Sequence, residues 1–256
     1  MRLFVKMLGI ISVVLAYLLI SCFITILPSG ARLRRILLTR NCTSAARRML
    51  ALLGIRIHVM HGERLQERSS GLLMVSNHLS YIDVLVIASL APSVFITSVE
   101  LGSTLFLGML ARLGGSVFVE RRKAFGLKKE IAMITRVLED GFAVVLFPEG
   151  TTSNGEHVRP FKNSLFDSAV AAGTGILPLC LRYTIINGHA VDAHNRDNVF
   201  YYGGETFFRH FRKLLVLESV DVEVMPLKVI KVPTDASRKE LALEAHAAIS
   251  AAYRRE

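Results

Sequence analysis

The sequence predicts an α/β fold in which a mixed sheet of about seven strands is flanked by helices. Short β-branched runs alternate after residue 54 with longer segments of helical periodicity. An uncharged apolar run near the N-terminus predicts a membrane helix, and an amphipathic helix is predicted to follow it. The 256 residues contain no internal repeat, so the segment after residue 54 is predicted to fold as one domain.

The apolar run covers residues 7–27 without a charged side chain. At about 1.5 Å per residue it is long enough to cross a hydrocarbon core of roughly 30 Å. The basic residues that follow it predict a cytoplasmic location for the rest of the chain, at the inner membrane; they are Arg32, Arg34, Arg35, Arg40, Arg47 and Arg48. A cleaved signal peptide is the alternative, but the run exceeds a usual h-region and no small-x-small site precedes the basic cluster.

The amphipathic helix is predicted to begin at Thr43 and Ser44, which are suitable N-cap residues. We assign residues 1–54 to a membrane anchor with an interfacial helix, and residues 55–256 to the α/β domain. Whether the first helix spans the membrane or is only embedded stays open at this point.

The composition favours a membrane surface as partner and disfavours nucleic acid. The chain has 31 Lys and Arg against 21 Asp and Glu, a net charge of +10, and its mean hydropathy is +0.43. The basic residues lack interleaved stacking aromatics, which argues against a nucleic-acid partner. Neither the three cysteines nor the histidines form a ligand pattern, so we predict no metal and no disulfide framework.

Hydrophobic patterning predicts the elements of the domain in order. Predicted strands cover residues 56–60, 72–76, 94–97, 117–120, 143–147, 176–182 and 220–224. Predicted helices cover residues 82–90, 105–113, 126–140, 164–172 and 237–254. The segment 189–210 is predicted only as a polar, glycine-containing excursion.

The most informative chemistry follows the second predicted strand, where the sequence reads NHLSYID over residues 77–83. His78 lies just after a buried strand, and Asp83 lies five residues on, at the start of a helix. An imidazole with one nitrogen bonded to a carboxylate is fixed in the tautomer whose other nitrogen accepts a proton. The pattern predicts His78 as a general base that Asp83 orients.

Two further segments end strands where α/β proteins build their sites. The first reads GSVFVERR over residues 115–122 and delivers arginines that are able to hold an anion. The second reads LFPEGTTS over residues 146–153, where a strand breaks at Pro148 and presents Glu149 beside a flexible Gly150. The conjunction of the three segments, and no single one, is specific.

NHLSYID, GSVFVER and FPEGTTS resemble, in order, the first three motifs of the glycerolipid or lysophospholipid acyltransferase family, typified by the 1-acylglycerol-3-phosphate acyltransferases. The similarity covers roughly residues 55–225, and ILPL at residues 176–179 matches a softer fourth motif. The roles that the resemblance implies are a catalytic dyad at His78 and Asp83, acceptor binding at Gly115, Phe118 and Arg121, and a third-motif contribution from Glu149 and Gly150. We place Thr151, in the same turn, with the substrate-binding residues.

The resemblance also implies a reaction: acyl transfer from acyl-CoA or acyl carrier protein to the hydroxyl of a membrane lipid, without a cofactor, a metal or a covalent acyl-enzyme. The expected acceptor is 1-acylglycerol-3-phosphate, giving phosphatidate in phospholipid biosynthesis.

Two departures from the family pattern leave the acceptor open. Thr152 stands where the third motif commonly has arginine, and Ser98 stands where many relatives have lysine. Arg121, Lys162 or Arg182 would have to compensate, or the acceptor lacks a terminal phosphate. The alternative is O-acylation of a lyso-ornithine lipid or another lysolipid, because EGTTSNG with the downstream PFKNSLF is more similar to that branch.

Other function classes are disfavoured by sequence. No G-x-S-x-G elbow of a serine hydrolase and no G-x-x-x-x-G-K-[ST] phosphate-binding loop occurs. A non-catalytic membrane lipid-binding protein is the alternative from a different class, and it would require that the intact histidine and aspartate have no catalytic role.

Overall fold

The computed structural model of the protein describes residues 2–65, 71–120 and 126–254. The helices of this part of the chain are α1 (Arg2–Ile26), α2 (Ala31–Leu53), α3 (Ile82–Leu90), α4 (Val99–Gly102), α5 (Leu105–Leu113), α6 (Leu127–Glu139), α7 (Asp167–Ala172), α8 (Phe207–Val216) and α9 (Arg238–Tyr253). The strands are β1 (Ile55–Val59), β2 (Leu73–Ser76), β3 (Val94–Ser98), β4 (Val117–Val119), β5 (Val144–Leu146), β6 (Ile176–Ile186), β7 (His189–Ala190) and β8 (Val220–Pro226).

The strands form one mixed sheet in the order β1-β8-β6-β2-β5-β3-β4, with β7 paired to β6. From β6 to β4 all neighbours along this path are parallel, whereas β8 runs antiparallel to β6 and β1 is parallel to β8. The carboxyl ends of β2, β5, β3 and β4 therefore meet at one edge. The predicted mixed α/β sheet is confirmed, and its eighth strand is the two-residue β7.

Helices cover both faces of the sheet, as the alternation of side chains along β2 requires. Met74 points to the face that α2, α3 and α8 cover, where Leu53 and Leu214 are buried. Val75 points to the opposite face, which α6, α7 and α9 cover. Both layers are needed because the central parallel strands are apolar on both sides.

Helix α1 lies along the domain and is tied to it by polar contacts. The Lys6 amino group donates to the backbone carbonyls of Leu53, Leu215 and Leu217 at 2.9–3.3 Å. Farther along, the Tyr17 hydroxyl donates to the Leu110 carbonyl at 2.8 Å. The segment Leu3–Ile26 is apolar and long enough to cross a membrane. Its outward face is apolar and exposed, with Phe4, Leu8, Ile11, Leu15, Leu19 and Phe23 in one stripe.

The structure corrects three local predictions. Helix α2 begins at Ala31, so the predicted cap at Thr43 is wrong, because the buried Thr43 hydroxyl donates to the Thr39 carbonyl one turn earlier. The predicted helix over residues 164–172 begins as a 3-10 turn, Ser164–Phe166, before α7. The segment 189–210 holds β7 and the start of α8, and neither was predicted. The division into domains at residue 54 stays a prediction.

Candidate active site

His78 and Asp83 are in direct contact at the carboxyl end of β2. The loop between β2 and α3 folds back, so that His78 Nδ1 lies 2.8 Å from Asp83 Oδ2. The histidine side chain is 17% exposed, whereas the aspartate side chain is fully buried. The ring of His78 stacks on Phe147 at the end of β5, with 4.0 Å between ring centroids. One partner therefore reaches the surface while the other is inaccessible.

The buried Asp83 carboxylate is surrounded by hydrogen-bond donors. Oδ2 also accepts the backbone N–H groups of Leu79 and Ser80, at 2.6 and 2.9 Å. Oδ1 accepts the hydroxyl of Tyr183 on β6, at 2.7 Å. Burial first, and then the negative charge of Asp83, raise the pKa of Tyr183 well above its usual value, so the phenol keeps the proton it donates. These bonds stabilise the ionised carboxylate.

An ionised Asp83 fixes the histidine tautomer. Its oxygen accepts a hydrogen bond from the Nδ1–H group of His78, which leaves Nε2 unprotonated in the neutral ring. Within the described residues, Nε2 has no hydrogen-bond partner. The arrangement is that of an oriented base with one open nitrogen.

Glu149 and the turn after β5 hold the backbone of His78. Glu149 Oε1 accepts the His78 N–H at 2.8 Å, and Oε2 accepts the Arg159 N–H at 3.1 Å. The carbonyl of His78 accepts the N–H of Ser153 at 3.1 Å. Burial raises the pKa of Glu149 to about 7, although both amide bonds oppose that shift. Because Glu149 is 5% exposed and both its oxygens accept backbone N–H groups, its side chain holds the backbone of His78 in position.

Gly150 and Thr151 continue this turn toward the surface. Gly150 has φ +77°, in the left-handed region that favours glycine, and a Cβ there would lie 2.8 Å from Lys162 Nζ. Thr151 is exposed. The third motif is thus adjacent to the dyad, as the strand order β2-β5 requires.

The second motif lies at the same edge but farther from the dyad. With strands about 4.8 Å apart, β4 lies roughly 14 Å from β2. Gly115 has φ +79° in the turn before β4. Phe118 is half-buried and packs beneath the Arg112 guanidinium, 5.0 Å from the ring centroid. Arg121 lies outside the described residues.

Three of the positions connected with anion binding, Ser98, Lys162 and Arg182, lie in the described part of the chain. Ser98 caps α4, its hydroxyl accepting the Leu101 N–H at 3.2 Å. Arg182 pairs with Glu223 at 2.7 Å, so its charge is already compensated. Lys162 is exposed, and its amino group lies beside Gly150. Of the two compensating cations that lie in the described ranges, Lys162 and Arg182, Lys162 is the one beside the third motif.

Sequence reasoning missed two residues that build the site. Tyr183 lies on β6, shortly after the fourth motif, and no spacing links it to Asp83, one hundred residues earlier. Asn77 directly precedes His78 and is fully buried, and its amide group exchanges two bonds of 2.8 and 2.9 Å with the Leu181 backbone. The position of Asn77 beside the histidine was the one available signal.

No three His, Cys, Asp or Glu side chains in the described ranges converge to hold a metal ion. The expectation of no metal and no cofactor stays a prediction.

Comparison with known proteins places these motifs in a family. A family model described as "Acyltransferase" matches residues 56–182, which include the dyad and the three motif regions. The chain is 37% identical to a lyso-ornithine lipid O-acyltransferase of Rhizobium meliloti over 197 residues, 74% of this chain and 66% of that protein. A lyso-ornithine lipid O-acyltransferase of Rhodobacter capsulatus is 32% identical, over 78% of this chain and 71% of its own length.

A 1-acyl-sn-glycerol-3-phosphate acyltransferase of Neisseria meningitidis is 35% identical over 144 residues, 56% of each chain. The chain spans about two thirds of the length of the lyso-ornithine lipid relatives. Among solved structures, the 1-acyl-sn-glycerophosphate acyltransferase PlsC of Thermotoga maritima shares the fold, with a TM-score of 0.70, 18% identity, and coverage of 99% of this chain and 96% of that one.

Proposed function

Because the chain belongs to the acyltransferase family, we propose that it transfers a fatty acyl group from a thioester donor to the hydroxyl of a lysolipid. The observation that carries the proposal is the dyad: a fully bonded, buried Asp83 orients His78, whose Nε2 is open. Acyl-CoA or acyl carrier protein is the donor, and no cofactor takes part.

In the proposed step, His78 Nε2 removes the proton of the acceptor hydroxyl as its oxygen attacks the thioester carbonyl. The new C–O bond gives a tetrahedral intermediate, which collapses by breaking the C–S bond. The imidazolium returns its proton to the departing sulfur. A thiol of pKa about 8.5 leaves far more readily than an alkoxide, so direct transfer needs no enzyme nucleophile. Asp83 stabilises the imidazolium between the two stages.

The substrate-binding assignments to Gly115, Phe118, Arg121, Gly150 and Thr151 belong to the same proposal, whereas Glu149, also assigned to substrate binding from sequence, acts in it by holding the backbone of His78. The location of Gly150 and Thr151 beside the dyad supports contact with the reacting groups. The distance of β4 from β2 suits the second motif to a more remote part of the acceptor.

Two acceptors are candidates, and each has an observation in its favour. A lyso-ornithine lipid is favoured because the relatives that align over most of this chain carry that name, and because Ser98 and Thr152 are uncharged. 1-Acylglycerol-3-phosphate is favoured by the exposed Lys162 amino group beside Gly150. We place the lyso-ornithine lipid first.

The proposed location is the inner membrane, with the catalytic domain on the cytoplasmic side. Support comes from the apolar outward face of α1 and from the basic residues that follow it. Because α1 is bonded to the domain near Lys6 and at Tyr17, we infer that it embeds by its exposed face.

The test is thiol release by the detergent-purified protein from acyl-CoA and from acyl carrier protein, with lyso-ornithine lipid and 1-acylglycerol-3-phosphate as rival acceptors. His78→Ala should lower acceptor-dependent release by about 10²–10⁴-fold, the usual contribution of a general base. His194→Ala, an exposed loop histidine, is the matched control and should keep wild-type activity.

The acceptor that supports turnover identifies the substrate. If the folded wild type releases no thiol with any donor and acceptor pair, the proposal is wrong, and the non-catalytic lipid-binding alternative takes its place.

A further inference from the structure

Helix α8 carries a row of exposed side chains in which a basic residue lies between two apolar residues. Phe208, Arg212 and Val216 are four residues apart, so they lie along one line of the helix. Phe208 is 74% exposed and Val216 is 65% exposed. Arg209 borders the row with a side chain that is 80% exposed and that forms a 3.6 Å ion pair with Glu205 one turn earlier, a contact that a lipid phosphate would have to compete with. The helix therefore packs one face against the protein and presents both apolar and basic side chains on its exposed face.

The N-terminal half of α8 packs beside the catalytic loop. Tyr81 lies between His78 and Asp83 in sequence, and its hydroxyl lies 3.0 Å from His210 Nδ1. The Tyr81 ring also contacts the ring of Phe207, with 5.0 Å between centroids. Since His210 is fully buried, this end of α8 is fixed to the loop that carries the dyad.

The C-terminal end of α8 lies against α1. The carbonyls of Leu215 and Leu217 accept the Lys6 amino group at 3.1 and 2.9 Å. On α1, Leu3 lies one turn before Lys6 on the same side of the helix and Val5 directly precedes it, and they are 49% and 61% exposed. The exposed row of α8 therefore begins near exposed apolar side chains of α1 and extends toward the active-site loop.

We propose that α8 is a second membrane-contacting helix, which lies on an anionic bilayer surface next to the embedded face of α1. Phe208 and Val216 enter the boundary between head groups and acyl chains, and Arg209 and Arg212 meet lipid phosphates. The net charge of +10 is complementary to such a surface. The inference rests on the proposed function, in which the acceptor is a membrane lipid. Contact of α8 with the bilayer would bring the loop that carries Tyr81 close to the membrane surface.

The chain has no tryptophan, so one introduced residue reports on its own surroundings. Phe208→Trp tests α8. Leu243→Trp is the matched control, because Leu243 is 59% exposed on α9, which covers the opposite face of the sheet. Both variants are reconstituted in phosphatidylcholine vesicles with or without phosphatidylglycerol, and tryptophan emission is read with and without brominated lipids.

Phe208→Trp should emit at shorter wavelength than Leu243→Trp in anionic vesicles and should lose emission with brominated lipids, whereas Leu243→Trp should lose none. Adding Arg212→Gln to Phe208→Trp should weaken docking of α8 about fivefold, from roughly 1 kcal/mol per basic residue at an anionic surface. Equal response of the two tryptophan variants would overturn the proposal. A blue shift without quenching by brominated lipids would also overturn it, in favour of contact with a second copy. Tryptophan emission is measured without turnover. A failure of the proposed acyl transfer can therefore be distinguished from a failure of α8 to contact the membrane.

Discussion

Replacing Tyr183 by phenylalanine removes one hydroxyl and tests how the dyad is built. The phenol donates to Asp83 Oδ1 at 2.7 Å, and both side chains are buried. Tyr183→Phe leaves Oδ1 without that donor, while Oδ2 keeps His78 and the amides of Leu79 and Ser80. The ring itself remains, so its contact with the ring of Phe200 is preserved.

The magnitude follows from the type of bond. A hydrogen bond to a charged group contributes about 1.5–3 kcal/mol, and about 1.36 kcal/mol corresponds to one decade in rate. If the whole contribution of the bond acts through the orientation of His78, kcat falls by about 10–100-fold. KM should change little, because Tyr183 is buried behind Asp83 and its side chain is almost inaccessible from the surface. The free energy of unfolding should fall by a similar amount.

Steady-state thiol release and denaturant unfolding are measured on the same preparations. Tyr202→Phe is the matched control: its hydroxyl donates to the Asp197 carboxylate in an exposed loop, where water replaces the lost donor. The control should keep kcat and lose less stability than Tyr183→Phe. A folded Tyr183→Phe enzyme with kcat within twofold of the wild type would refute the idea that the bond organises the dyad.

Two further predictions concern the turn that supports His78. Burial raises the pKa of Glu149 from 4.5 to about 7, so the folded chain binds this proton more tightly than the unfolded chain. The stability that this proton contributes is fully present below pH 4.5 and is lost as pH rises through about 7. Glu149→Gln should therefore flatten the dependence of the free energy of unfolding on pH between 4.5 and about 7. An unchanged slope over that range would contradict the raised pKa of Glu149. Gly150→Ala and Gly173→Ala both place a methyl group at positive φ, and each should lose about 1–2 kcal/mol of stability. Only Gly150→Ala meets a neighbour, Lys162, and should also lower kcat, whereas equal activity of the two variants would argue against a role for the turn.

The fold was predictable because each of the seven predicted strands is an apolar run or alternates apolar with polar residues. All seven predicted strands are present, including the antiparallel β8. The missed β7 had a local signal, since Asn187 and Gly188 both adopt positive φ in a two-residue hairpin turn. Helix α8 was missed because Gly203 and Gly204 precede it and its basic residues obscured the apolar periodicity.

The contacts of the site were predictable only where its residues are close in sequence. His78 and Asp83 belong to one loop and one helix turn, so their contact follows from local geometry. Tyr183 reaches Asp83 through the pairing of β6 with β2, which the motif spacing does not encode. For Glu149 the sequence indicated a carboxylate at the correct strand end, but the direction of its side chain depends on the backbone N–H groups of His78 and Arg159.

The strand order separates acid–base chemistry from the second motif. The ends of β2, β5 and β6 hold the proposed base His78, the residue Asp83 that orients it, and their hydrogen-bond donors, so we expect changes there to act on kcat. The ends of β3 and β4 lie roughly 10–14 Å away and carry Ser98 and Phe118. We expect a substitution at that distance to leave the orientation of His78 unchanged. It would affect only the part of the acceptor that lies far from the reacting hydroxyl. The same dyad therefore suits acceptors with different head groups, and replacing Ser98 should alter the preference among them through KM while kcat stays near the wild-type value.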